Sequence, residues 1–138
     1  MSNIEVFTRV TAEVFKELYE AFPKPIILQA HDLRSKADIS DEDWWEESRG
    51  IKGNSAGVAI IWLHDEGFIR YQTGSNDGSK FTGVVLTTKG LTAMNRPIKS
   101  LEASPTVGDR LKELSKTTST EIVVGLVKIA LSVFEPKG

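Results

Sequence analysis

Two histidines each stand directly before an aspartate, His31-Asp32 and His64-Asp65, and a histidine beside a carboxylate is raw material for a metal site. The two pairs fall in separate elements and no HExxH-type motif accompanies them. A catalytic metal usually takes three protein ligands, so no metal is expected. Acids crowd at Asp41-Glu42-Asp43 and Glu46-Glu47. Such a cluster could bind Mg²⁺ or act as general acid and base; more simply it is a solvated face, or a phosphate mimic that fends off or recruits a basic partner. Gly50, Gly53 and Gly57 lack the following Lys-Ser/Thr of a phosphate loop, and no serine sits in a nucleophile-elbow pattern. The absence of cysteine excludes disulfides, thiolate nucleophiles and Cys-bearing zinc sites. Neither an enzymatic activity nor a cofactor is expected.

What remains is charge. Over 138 residues the net charge is −2, but its distribution is uneven. Residues 1–37 carry five acids and five bases, and residues 100–138 carry the same. Asp38 to Glu47 holds six acids and no base, whereas Arg49 to Lys99 holds seven bases against Asp65, Glu66 and Asp77. A positive stretch of that kind is suited to phosphate.

The elements that must carry these residues follow from periodicity. Val6, Val10, Val14, Leu18 and Phe22 recur at four-residue steps, with Phe7 and Phe15 beside them, which predicts a core-facing helix over 4–22. Ser2 and Glu5 have capping-box spacing at its start, and Pro23 and Pro25 end it. Ile26-Ile27-Leu28 is a short buried strand, and residues 31–36 form a second helix. Ser40 with Asp43 resembles an N-cap and its third-position acid, predicting an acidic helix over 41–48 that bears Trp44 and Trp45.

Ala56 to Glu66 is an unbroken apolar helix, capped by Asn54 or Ser55 and ended by Gly67. Phe68 to Tyr71 is rich in β-formers, residues 73–79 are dense turn chemistry, and Phe81 to Leu86 returns as a strand. Thr88 to Asn95 is a further short helix. Residues 96–105 read as linker. Ser104-Pro105 then predicts a helix to about Lys116, and Thr118 with Glu121 opens a last one over 119–134. The last helix is about 16 residues long, short of the roughly 20 a bilayer span needs, and it holds Glu121 and Lys128. The chain start lacks a basic segment followed by an apolar one, so a cytoplasmic protein without membrane contact is expected.

Trp62-Leu63-His64-Asp65-Glu66-Gly67-Phe68-Ile69 before the hairpin, with Leu86-Thr87-Thr88-Lys89-Gly90-Leu91 after it, resembles the wing region of winged helix-turn-helix proteins, including bacterial MarR- and PadR-type regulators. The resemblance covers about Val10 to Met94. It implies an α+β winged helix-turn-helix domain over 1–95, in which the acidic segment 38–48 is an insertion or supplies the second helix of the motif, then a linker over 96–105 and a C-terminal helical segment over 106–138. In that superfamily the helix before the hairpin reads DNA and the hairpin is the wing.

A DNA-binding transcriptional regulator is therefore the leading expectation. Arg49, Lys52, Asn54 and Ser55 would approach the major groove, and Arg70, Ser79 and Lys80 the backbone beside it. The composition of helix 56–66 opposes this, since Val58-Ala59-Ile60-Ile61-Trp62-Leu63 is apolar all round and a groove-reading helix should present a polar face. The alternative is a protein-interaction module on the same scaffold, with this helix, Trp44-Trp45 and the last helix buried against a partner. The last helix is expected either to pair two subunits into a homodimer through Ile122, Leu126, Ile129 and Val133, or to pack over the first helix.

Overall fold

The structure is a computed structural model that describes residues 1–47, 53–98 and 105–132. It is a mixed α+β fold organised around its first helix. Helix α1 (Asn3–Ala21) begins at a full capping box, in which the Ser2 hydroxyl accepts from the Glu5 amide at 3.1 Å and the Glu5 carboxylate accepts from the Ser2 amide at 2.8 Å. Val6, Val10, Val14 and Leu18 are buried as the four-residue spacing predicts, with Phe15 beside them, whereas Phe22, expected to end the stripe, is the C-cap and is exposed. Each such side chain removed from water contributes about 1.5–3 kcal/mol before entropy is counted.

Strand β1 (Ile26–Gln29) leads into α2 (Ala30–Ala37), and a second apolar helix, α3 (Ser55–Asp65), crosses α1. Gly67 closes α3 at φ +84°, the left-handed position that glycine adopts without strain. There the Gly67 amide donates to the His64 carbonyl and the Phe68 amide to the Leu63 carbonyl, a Schellman pattern. The expected hairpin follows as β4 (Ile69–Arg70) and β5 (Thr73–Gly74) against β6 (Lys80–Leu86). Both pairings share one register, Ile69 opposite Leu86 and Thr73 opposite Thr82. Strand β1 joins the other edge of β6, antiparallel, to give the order β1-β6-β4.

Three expectations are corrected. The acidic helix over 41–48 does not form across its described part. Residues 41–43 make a single turn on the Ser40 carbonyl, and Glu46–Glu47 is a strand (β2) paired with β3 (Gly53–Asn54). Ser40 and Asp43 do meet, the hydroxyl donating to the carboxylate at 3.1 Å, but the Asp43 amide goes to the Ser40 carbonyl and not to its hydroxyl, and from Trp45 onward pairing with residues 53–55 takes over. Trp45 donates its amide to the Ser55 hydroxyl at 2.7 Å and accepts from the Ser55 amide at 2.9 Å, bonds a continuing helix would forgo.

Helix α4 (Thr88–Met94) is as expected, but α5 (Val107–Lys112) opens at Thr106, not Ser104. Asp109 completes a capping box with Thr106, leaving Pro105 just outside. Helix α6 (Thr120–Leu131) is capped by Ser119, because the Thr118 hydroxyl is engaged by the Ser115 amide at 3.0 Å. The ends of the linker are held together: the Ile98 amide donates to the Pro105 carbonyl at 3.1 Å and the Val107 amide to the Arg96 carbonyl at 2.9 Å.

Helices α5 and α6 share the core with α1. Val107, Leu111, Val123, Leu126, Val127 and Ala130 lie in the same buried cluster as Val10 and Phe15. Arg9, itself buried, donates to the Thr118 carbonyl at 2.7 Å and to the Thr120 hydroxyl at 3.1 Å, fixing the start of α6 on α1. No helix among the described residues is long and apolar enough to cross a membrane.

Candidate functional site

The residues expected to face DNA fall into three groups. Arg49 and Lys52 lie outside the described residues. Asn54 and Ser55 are buried and turned inward. The Asn54 side-chain carbonyl accepts from the Ala56 and Gly57 amides at 2.9 and 2.8 Å, while its amide donates to the Gly78 carbonyl at 3.1 Å. Ser55 is engaged with both backbone groups of Trp45. Their polar atoms build the junction between α3 and the hairpin turn.

The third group is exposed. Arg70 and Lys80 stand on the hairpin and make no ion pair with another described residue. Ser79 closes the turn: its amide donates to Ser75 Oγ and Asp77 Oδ1 at 3.1 and 3.0 Å. Hydrogen bonds from the Ser79 hydroxyl and amide and from the Ser75 hydroxyl hold the Asp77 carboxyl below the usual carboxylate range, so an anion sits at the hairpin tip.

The outward side of α3 is apolar. Ala56, Ala59, Ile60 and Leu63 face the core, while Val58, Ile61 and Trp62 are 42, 38 and 41% exposed. These three follow helical spacing and belong to one face, which Asp65 continues. The face does not end with α3. Trp62 meets Phe7 of α1 edge to face at 5.3 Å between ring centroids, and Ile4, one turn earlier on α1, is exposed. At the other end, Val58 and the 44% exposed Trp45 border a groove of 330 Å³, with Phe7, Val6 and Asp43 in its walls. Two half-exposed indoles thus flank a valine on a continuous apolar strip.

Among the described residues four exposed or half-buried acids border it, with the Lys89 ammonium on the Glu66 carbonyl. Glu42 is exposed on the turn before Trp44, and Asp43 lines the groove, paired with the chain's terminal ammonium at 3.1 Å. That ammonium and the Ser40 hydroxyl hold Asp43 below the ordinary carboxylate range. Asp65 and Glu66 are exposed at the far end of α3, where His64 pairs with Asp65 at 3.2 Å. Arg34 is engaged by Asp41, with its guanidinium 5.1 Å from the centre of the Trp44 ring.

The remaining sequence candidates are scattered. His31 and His64 are exposed on different helices, and among the described residues no group of three or more His, Asp or Glu could hold a metal. On α6, Ile122 is exposed, Ile129 is half-buried and Leu126 is buried in the core; Val133 lies outside the described residues. The exposed strip on α3 is what the sequence reading of its apolar composition anticipates, but the contributions of Ile4 and Phe7 were not legible, because they come from another helix. No protein-family model, no curated protein and no solved structure matches this chain.

Proposed function

We propose that the chain is a winged-helix scaffold used as a protein-interaction module, docking a partner on the outer face of α3. Support for the scaffold comes from the element order α1-β1-α2-α3-hairpin with β1 paired to the returning strand. The observation that carries the function is the composition of that face. The helix in the recognition position presents Val58, Ile61 and Trp62 to solvent, and Asn54 and Ser55 at its start are buried. A major groove offers hydrogen-bonding base edges and phosphates, which three apolar side chains and an aspartate do not match. A protein surface does match them, since tryptophan-centred apolar patches supply most of the binding energy at interfaces.

Duplex DNA is the second reading, favoured by Arg70 and Lys80, which stand exposed along the hairpin where a wing meets phosphate. One experiment separates the two. A photo-crosslinking residue at position 61, introduced in the native cell, should give a defined protein adduct that Trp62→Ala abolishes and Lys80→Glu leaves intact. In parallel, a labelled random duplex is titrated at low and moderate salt. Salt-steep binding lost in Arg70→Glu/Lys80→Glu, with no adduct at position 61, would replace the interaction reading by the DNA reading.

A further inference from the structure

On the reading that α3 docks a protein, we infer the chemistry of the occupant: a cationic amphipathic helix, its apolar side chains laid along Val58 between Trp45 and Trp62, and its Lys or Arg residues meeting the acids at the two ends of the strip.

The shape supports a helix. Val58 and Trp62 stand one turn apart and form a ridge of the kind that packs between the side-chain rows of another helix. The groove beside that ridge is bounded by α1 through Phe7 and by Trp45, so an incoming rod has two walls. Val6, Phe7, Trp45 and Val58 give the groove a mainly apolar lining and the Ser55 hydroxyl is already bonded to Trp45, so an extended backbone would find few partners, whereas a helix satisfies its own.

Charge selects the helix. At one end stands the exposed Glu42, next to the Asp43 that the terminal ammonium already pairs, and at the other stand Asp65 and Glu66, both exposed. Among the described residues the nearby cations are already engaged: Arg34 with Asp41 and the Ile39 carbonyl, the terminal ammonium with Asp43, and Lys89 with the Glu66 carbonyl. A second copy of this chain is the less favourable occupant for the same reason. A closed two-fold interface brings each patch against itself, so these acidic ends would face acids. Like charges set opposite one another across an interface disfavour that pairing.

The test uses two labelled peptides about 18 residues long, long enough to form helix. They share one leucine-rich stripe, and the opposite face carries Lys and Arg in one and Glu in the other. Anisotropy titrations against the full chain should show the cationic peptide binding at least about tenfold more tightly. Trp62→Ala and Val58→Ser, both at exposed positions, should each abolish binding while circular dichroism stays unchanged. Glu42→Gln/Asp65→Asn should narrow the preference between the peptides. Equal binding of both peptides, lost in Val58→Ser, would overturn the cationic assignment and leave the docking face standing. Binding indifferent to Val58→Ser and Trp62→Ala, or no binding of either peptide, would overturn the inference. So would a dimer in solution that Val58→Ser splits, since the occupant would then be a second copy.

Discussion

Asn54 donates its side-chain amide to the Gly78 carbonyl at 3.1 Å while its side-chain carbonyl caps α3, so one buried residue locks the hairpin turn onto the helix start. Asn54→Ala removes the cap and leaves the Gly78 carbonyl without that donor. A loss of about 2–3 kcal/mol in urea unfolding is expected. Asn54→Asp keeps the capping acceptor but turns a carboxylate toward that carbonyl, so it should not restore wild-type stability.

Gly57 and Gly125 should respond in opposite directions to the same substitution. Both are inside helices, where alanine is ordinarily favoured by about 1 kcal/mol. A Cβ at Gly125 meets no described residue within 4 Å, and Gly125→Ala should stabilise by roughly that amount. A Cβ at Gly57 would stand 2.7 Å from the Gly78 carbonyl oxygen, which is backbone, so Gly57→Ala should destabilise by about 1–3 kcal/mol. Thermal unfolding of the two variants side by side checks the contrast.

Burial raises the carboxyl of Glu13 above its ordinary range, against the pull of Lys16 and Lys36. A raised folded-state value means the native protein holds this proton more tightly than the unfolded chain. Ionisation therefore penalises the fold as pH rises from the ordinary glutamate range through the raised value. Glu13→Gln should raise the melting temperature at neutral pH, and its advantage should fade as pH falls below the ordinary range, where both states are protonated. An advantage independent of pH would contradict the assignment.

Arg9 holds the start of α6 through the Thr118 carbonyl and the Thr120 hydroxyl, and it is buried. Arg9→Met keeps much of the packing volume and removes the donors. It should reduce stability by about 1.5–3 kcal/mol and speed amide hydrogen exchange in α6 more than in α3.

Local signals were read directly from the chain. The four-residue recurrence of Val6, Val10, Val14 and Leu18 determined α1, the Ser2-Glu5 pair its start, Gly67 the end of α3, and the turn residues between Tyr71 and Phe81 the hairpin. Each depends on neighbours a few residues away, which is why spacing alone suffices. Tertiary structure decided the rest. Asn54 and Ser55 have the same polar side chains whether they face a groove or a hairpin turn, and only packing against Gly78 and Trp45 turned them inward. Helix α3 is apolar on every side, so its periodicity could not say which residues α1 and the sheet would cover; that contact left Val58, Ile61 and Trp62 outside. Ser40 and Asp43 signal a helix start locally, yet the pairing of Glu46–Glu47 with Gly53–Asn54, six to eight residues on, overrode it, because strands of two residues are too short to carry an alternating pattern.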